Sequence, residues 1–184
     1  MITLRHARPD EKRKAYEWLC HSDITASCMG PPDFPGQPVP DWEQFQEDFQ
    51  DFYFSKEGRD KGSVMVIEHN GDEIGCVCYA CYHVKNRKAE IDIWMRSSEY
   101  CGKGYGSRSI KMLMEYLRDA RGLHQFIIRP SERNTRAIRA YEKAGFRRPP
   151  DKNAAVRRFL KEEYLEELGP GDYGPDETAV LILE

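Results

Sequence analysis

Residues Ile91 to Leu117 (IDIWMRSSEYCGKGYGSRSIKMLMEYL) constrain the fold more than any other stretch of the chain. Ile91 and Ile93 alternate with Asp92 and Trp94, the period-2 pattern of a strand with two different faces. Gly102, Gly104 and Gly106 then fall within five residues. After them Ile110, Leu113, Met114 and Leu117 recur at i, i+3, i+4 and i+7, so a helix with one apolar face follows the turn. A glycine loop opening a helix offers main-chain N–H groups with no Cβ atoms in the way. With the positive end of the helix dipole it makes a seat for phosphate oxygens. The order of residues excludes the phosphate-loop NTPase pattern, and the third glycine comes too early for a dinucleotide fingerprint. A tight turn with no ligand stays open on this stretch alone.

A second segment, Pro130 to Phe146 (PSERNTRAIRAYEKAGF), narrows the choice. Together the two resemble the GCN5-related N-acetyltransferase (GNAT) superfamily. Its acetyl-coenzyme A loop, Gln/Arg-x-x-Gly-x-Gly/Ala, is matched by Cys101 to Gly106, with Cys101 standing where Gln or Arg is usual. Its next helix, Asn-x-x-Ala-x-x-x-Tyr-x-x-x-Gly-Phe, is matched by Asn134, Ala137, Tyr141, Gly145 and Phe146. The likeness runs from Ile2 to about Phe146, with a return at Thr178 to Leu183. Within the superfamily it is strongest to aminoglycoside 6'-N-acetyltransferases and their polyamine- and ribosomal-protein-modifying relatives.

The resemblance implies a donor, acetyl-coenzyme A, and a site for it. The pantetheine arm would run beside the main chain of Trp94, Met95 and Arg96, where an N–H holds the developing oxyanion. The N–H groups of Cys101, Gly102, Lys103, Gly104, Tyr105, Gly106 and Ser107 would take the pyrophosphate, with Lys103 either lending charge or merely solvated. Asn134 and Ala137 would contact the coenzyme, although Asn134 is also the natural cap of its helix. Tyr141 stands where the family places the acid that protonates the leaving thiolate; a buried structural tyrosine is the competing reading. Cys101 suggests an acyl-cysteine route, but no base is evident beside it, so direct attack by the amine is expected.

The base has two candidates. Glu90 and Asp92 share one strand face about 7 Å apart, and an acceptor amine arrives as an ammonium ion that must lose a proton. Asp92 lies ten residues before Gly102, the spacing of the catalytic aspartate in the resembling 6'-N-acetyltransferases. Glu90 competes, because other members use a glutamate on this strand. A salt bridge from either acid to Arg87, Lys88 or Arg96 is the structural alternative.

Composition limits the partners. The 184 residues carry mixed charge with a net of −3, so no basic footprint asks for nucleic acid. No apolar run reaches membrane-span length, and the charged start is not a signal peptide, which points to the cytoplasm. Cys76 and Cys78 share a strand face and Cys81 points the other way; without a second Cys/His pair at zinc spacing, reduced thiols and no metal are expected.

In chain order, Ile2 to Ala7 reads as a strand, and Pro9, Asp10 and Glu11 open a helix. Gly30 to Pro40 cannot be regular structure. Trp42, Phe45, Phe49 and Phe52 form the stripe of a second helix, packed in the core or, with that loop, walling the acceptor. Ser63 to Glu68 and Glu73 to Val84 are strands joined by an Asn70-Gly71 hairpin turn. Strands at Ala89 to Met95 and His124 to Ile128 and a helix at Asn134 to Lys143 follow. Val156 to Leu168 reads as one extra helix, and Thr178 to Leu183 as the closing strand. The expectation is a single α+β (mixed α/β) domain over 1–184, with a core at about 2–148 and the extra helix and closing strand in 149–184. A central mixed, mostly antiparallel sheet carries helices on both faces. The acceptor expected is a small polyamine or aminoglycoside-like amine, with Glu43, Glu47, Asp48 and Asp51 as the acids to attract it. A protein N-terminus or lysine, or a non-catalytic acyl-coenzyme A sensor, is the alternative. Pairing into a homodimer is common in the family and is carried over from it.

Overall fold

A computed structural model describes residues 1–28, 39–168, 173–174 and 176–184. Six strands lie in chain order in one sheet: β1 (Ile2–His6), β2 (Gly62–His69), β3 (Asp72–Ala80), β4 (Lys88–Met95), β5 (Gln125–Ile128) and β6 (Leu181–Leu183). Neighbours are antiparallel except β4 and β5, which run parallel. Asn70 at φ 54° and Gly71 at φ 92° make the β2–β3 turn with both central residues left-handed, as the dipeptide predicts.

The helices lie on both faces. On one, α4 (Tyr105–Arg121) and α5 (Thr135–Ala144) cover Val77, Tyr79, Ile91, Met95 and Phe126 with Ile110, Leu113, Leu117 and Ile138. On the other, α1 (Lys12–Cys20) and α3 (Trp42–Asp48) cover Val64, Val66, Cys76, Cys78 and Trp94 with Ala15, Tyr16 and Phe45. A short α2 (Thr25–Cys28) follows α1. Cys76 and Cys78 thus do share a face, and Cys81 packs against the α4–α5 cluster. All six cysteines are free thiols.

Two expected helices differ. The aromatic stripe does not stay on one helix through Phe52: α3 ends at Asp48, Phe49 takes ψ 73°, and a 3₁₀ turn carries Asp51–Phe54. The break turns Phe49 onto Phe45, Tyr53 and Trp94, with ring centroids 4.7, 5.5 and 5.6 Å away, so the aromatics converge in the core. Nor is 156–168 one helix. It is α6 (Lys152–Phe159), capped by the Asp151 carboxylate on Ala154 N–H at 2.9 Å, and α7 (Glu162–Leu168). Between them Leu160 forms a bridge to Val84, so that step is extended rather than helical. The expected Gly30–Pro40 loop lies outside the described residues except at 39 and 40.

The sheet feature that positions the site is a short partnership. β5 pairs with β4 only through Lys88–Gln125, Ala89–Phe126 and Glu90–Ile127, and ends at Ile128. β4 continues to Met95 along β3 alone. Arg96 N–H bonds Ile74 C=O at 2.8 Å on the β3 side. By strand alternation the N–H groups of Ile93 and Met95 therefore point to the side that β5 has left.

Candidate active site

The glycine loop takes left-handed backbone at two of its glycines. Gly102 and Gly104 sit at φ 73° and 77°, where a Cβ would be strained, and a Cβ at Gly102 would meet nothing within 4 Å. Among the described residues the space beside Gly102 is open, while a Cβ at Gly104 would meet Arg108 Nη2 at 3.8 Å. Gly104 is the residue before α4, and its C=O accepts the first helical bond, from Arg108 N–H at 3.2 Å. The N–H groups of Tyr105, Gly106 and Ser107 thus precede the intrahelical ladder. Ser107 Oγ donates to Gly104 C=O at 3.2 Å. Gly102, Lys103 and Gly104 are exposed. Cys101 departs from expectation: its N–H is spent on Ser98 C=O at 3.0 Å, so its amide is not available to the pyrophosphate.

Arg108, which sequence reading passes over, folds back on the loop. Its Nη2 donates to Lys103 C=O at 3.4 Å, and its guanidinium lies 5.8 Å from the Tyr105 ring centroid. One helical turn after Gly104 was the available signal: a cation there returns to the helix start.

Asn134 caps α5, accepting Ala137 N–H at 3.2 Å, which occupies the Ala137 amide as well. From that cap the helix carries Tyr141 inward to 3% exposure. Burial first, and then the charge of Asp92, push its phenol well above its ordinary range. Tyr141 and Asp92 therefore share one electrostatic neighbourhood although they come from α5 and β4. The phenol stays protonated well past neutral pH, firmer than the unperturbed value of about 10 implies.

The two acids on β4 have different surroundings. Glu90 is enclosed: Arg129 Nε and Nη2 reach its two oxygens at 2.6 and 2.9 Å, and His83 Nε2 bonds Oε2. Burial would raise its carboxyl, but the Arg129 charge and the His83 and Arg129 bonds outweigh it and hold it at about 2. Its partners are thus Arg129 and His83, not Arg87, Lys88 or Arg96. His83 is itself buried and lies 4.6 Å from the Tyr164 ring on α7; the Tyr164 hydroxyl accepts from Arg129 at 3.2 Å. Asp92 is exposed, on the stretch of β4 that β5 does not cover, and its Oδ1 accepts Ile93 N–H at 2.7 Å. That leaves Met95 N–H as the main-chain donor turned to the open side without a bond from Asp92. Trp94 turns its ring into the α1–α3 core at 2% exposure, while Arg96 is exposed and reaches Glu73 C=O at 3.4 Å.

Among the acids expected to draw a cationic acceptor, Glu43 and Glu47 are exposed on α3, whereas Asp51 is paired with Lys12 Nζ at 2.8 Å. Burial raises the Cys101 thiol, against the lowering charge of Arg136 and with a smaller raising contribution from Asp23. Among the described residues no group of His, Cys, Asp and Glu could hold a metal ion, and no helix is long and apolar enough to cross a membrane.

The family model described as Acetyltransferase (GNAT) domain matches residues 1–147. Spermidine N(1)-acetyltransferase of Escherichia coli K12 is 33% identical over 82 residues, 45% of this chain and 44% of that protein, so that match spans less than half its length. Aminoglycoside N(6')-acetyltransferase type 1 of Klebsiella pneumoniae is 28% identical over 160 residues, 80% of this chain and 74% of that one. Among solved structures, the aminoglycoside acetyltransferase AAC(6')-Ib in complex with coenzyme A and kanamycin has a TM-score of 0.67 at 20% identity, covering 99% of this chain and 94% of that one. Spermidine N-acetyltransferase of Vibrio cholerae in complex with coenzyme A and spermine has a TM-score of 0.66 at 18% identity, with the same coverage of 99% and 94%.

Proposed function

Because the chain belongs to the acetyltransferase (GNAT) domain family, we propose that it moves acetyl from acetyl-coenzyme A directly to a primary amine. The observation that carries the reading is the exposed Asp92 carboxylate on the uncovered stretch of β4, in one neighbourhood with the protonated Tyr141.

The residues fit the donor. The open space over Gly102 and the N–H groups of Tyr105, Gly106 and Ser107 suit a diphosphate, with the Arg108 guanidinium beside them. Acetyl-coenzyme A supplies a thioester already activated for attack. Asp92 then takes the proton from the acceptor ammonium, directly or through a water. Met95 N–H, turned to the open side, holds the negative charge that develops on the carbonyl oxygen. As the C–S bond breaks, Tyr141 gives its proton to the departing sulfur, and the surplus proton left on the nitrogen passes through water to restore the phenol. Glu90 has no part in proton transfer, because a carboxyl held at about 2 by Arg129 and His83 is a poor base at neutral pH.

The acceptor we propose is a small polycation of the polyamine or aminoglycoside class. The named acceptors of the relatives are spermidine and aminoglycosides, and Asp92, Glu43 and Glu47 offer negative charge on one side of the sheet. Free thiols throughout suit a reducing, cytoplasmic setting, and the homodimer common in the family belongs to the same reading.

The deciding experiment follows thiol release from acetyl-coenzyme A with spermidine, kanamycin and a peptide bearing a free N-terminus. Turnover with one of the first two is expected. Coenzyme binding without thiol release from any amine would make the chain an acyl-coenzyme A binding protein instead.

A further inference from the structure

β5 loses its two neighbours at different places. Its pairing with β4 ends at Glu90–Ile127. On the other edge it continues with the C-terminal segment, through Ile127–Ile182 and Ile128–Leu181. Pro130 C=O then accepts Ala179 N–H at 2.8 Å, Ser131 bridges Thr178, and Glu132 N–H bonds Glu177 C=O at 2.8 Å. Past Ile127 the chain therefore follows the C-terminal segment while β4 follows β3, and the two strands diverge. Strand ends fray, so the vertex of such a fork stays fixed only if something at its base resists further unzipping.

Arg129 occupies that base. It follows the end of β5, and its guanidinium reaches back across the fork to both oxygens of Glu90, the residue of the last rung on β4. Its side chain is 6% exposed and that of Glu90 15%. The grip is braced from α7. The Tyr164 hydroxyl accepts from Arg129 Nη2 at 3.2 Å, and the guanidinium carbon lies 5.6 Å from the ring centroid. The joint ahead of α7 is in turn fastened to the β3–β4 connection. There Lys161 N–H bonds His83 C=O at 3.0 Å, Lys85 N–H bonds Phe159 C=O at 2.7 Å, and Val84 bridges Leu160. α7 lies beyond the stretch matched by the family domain, yet it carries the brace.

Resting on the acetyl-transfer reading, we infer that Arg129 is a positioning residue for the donor, with Tyr164 as its brace: together they hold the vertex of the β4–β5 fork. The pantetheine arm needs the main chain of β4 beyond Glu90, and that edge is open to it because β5 departs there. Arg129 acts through the strand, since Glu90 carries the rest of β4 with it. A planar guanidinium bonds two carboxylate oxygens and a hydroxyl in one fixed arrangement, which an ammonium group cannot reproduce.

The test compares the wild-type chain with Arg129→Lys, Tyr164→Phe and the double variant, titrated calorimetrically with coenzyme A and with adenosine diphosphate. The second ligand keeps the diphosphate and lacks the pantetheine arm. Arg129→Lys should weaken coenzyme A about tenfold or more, since a misplacement of about 1 Å costs up to about 10²-fold. Tyr164→Phe keeps its ring and loses one hydrogen bond, so it should weaken coenzyme A by more than about twofold. Because the two residues act as one unit, the double variant should be no worse than Arg129→Lys alone. Adenosine diphosphate should bind every chain alike, which a general loosening of the fold would not allow. Three results overturn the assignment: coenzyme A affinity within about twofold of wild type in either single variant, losses that multiply in the double variant, or equal weakening of both ligands. Tyr164→Phe decides the matter even where Arg129→Lys does not fold. Coenzyme binding without turnover of any amine would end the acetyl-transfer reading and leave the fork to these affinities. A wild-type chain that binds no coenzyme removes both.

Discussion

Arg129 grips both oxygens of Glu90, Nε to Oε1 at 2.6 Å and Nη2 to Oε2 at 2.9 Å, two positions along β4 from Asp92. The pair gives the two acids on one strand face different surroundings. Glu90 is a structural anion tying β4 to the end of β5. Asp92 is the carboxylate left exposed on the uncovered stretch.

Asp92→Asn should therefore lower kcat about 10²–10⁴-fold, the usual worth of a placed general base. The coenzyme dissociation constant should stay near wild type, because Asp92 stands on β4 and supplies none of the N–H groups of the glycine loop. Thiol release and titration calorimetry read the two. An acidic limb of the pH–rate profile that survives in Asp92→Asn would remove Asp92 as the base.

Glu90→Gln should instead unfold more easily, by about 3–5 kcal/mol, because it removes the carboxylate that the buried Arg129 guanidinium grips. The sign with pH follows from linkage. The folded carboxyl sits at about 2 against an ordinary 4.5, so between those values the unfolded chain binds more protons and stability rises with pH. The contribution is complete above about 4.5 and is lost as pH falls through 2. Acid titrations of the midpoint in urea should show this slope in the wild type and a flatter one in Glu90→Gln.

Gly104→Val should weaken coenzyme binding at least about tenfold and cost about 1–3 kcal/mol of stability, since φ 77° is strained for a branched residue. Gly106→Ala is the control. Gly106 has no positive φ, and its Cβ would stand 3.7 Å from Ile93 Cδ1, an ordinary contact. Its melting temperature should stay close to wild type, so any loss of affinity reports the approach of phosphate to the backbone. Normal affinity in Gly104→Val would refute the loop assignment.

Tyr141→Phe should lower kcat by about 10²-fold or more with a smaller effect on coenzyme affinity, as loss of a proton donor does. Burial and then Asp92 hold the phenol above its ordinary range, so no basic limb from Tyr141 is expected below pH ~10. Stability should fall by only about 1 kcal/mol. A kcat unchanged in Tyr141→Phe would leave the residue a core tyrosine.

What the sequence determined by itself is local. The Asn70-Gly71 turn, the left-handed glycines of the loop, the Asn134 cap and the apolar faces of α4 and α5 each depend on residues within a few positions of one another. Dihedral limits, capping and periodicity act over that range, so those features are legible before any fold is known. The pairing of Glu90 spans 39 residues and needs the parallel crossover to bring Arg129 alongside. Neighbouring basic residues on the chain, Arg87 and Lys88, gave the wrong partner for that reason. The aromatic stripe failed similarly, because packing of Phe49 onto Trp94 outweighed continuation of α3. Tertiary structure alone decided that Asp92 is exposed on that stretch of β4 and that its charge reaches Tyr141. Each follows from where β5 stops beside β4, a register set by the whole sheet rather than by any short run of residues.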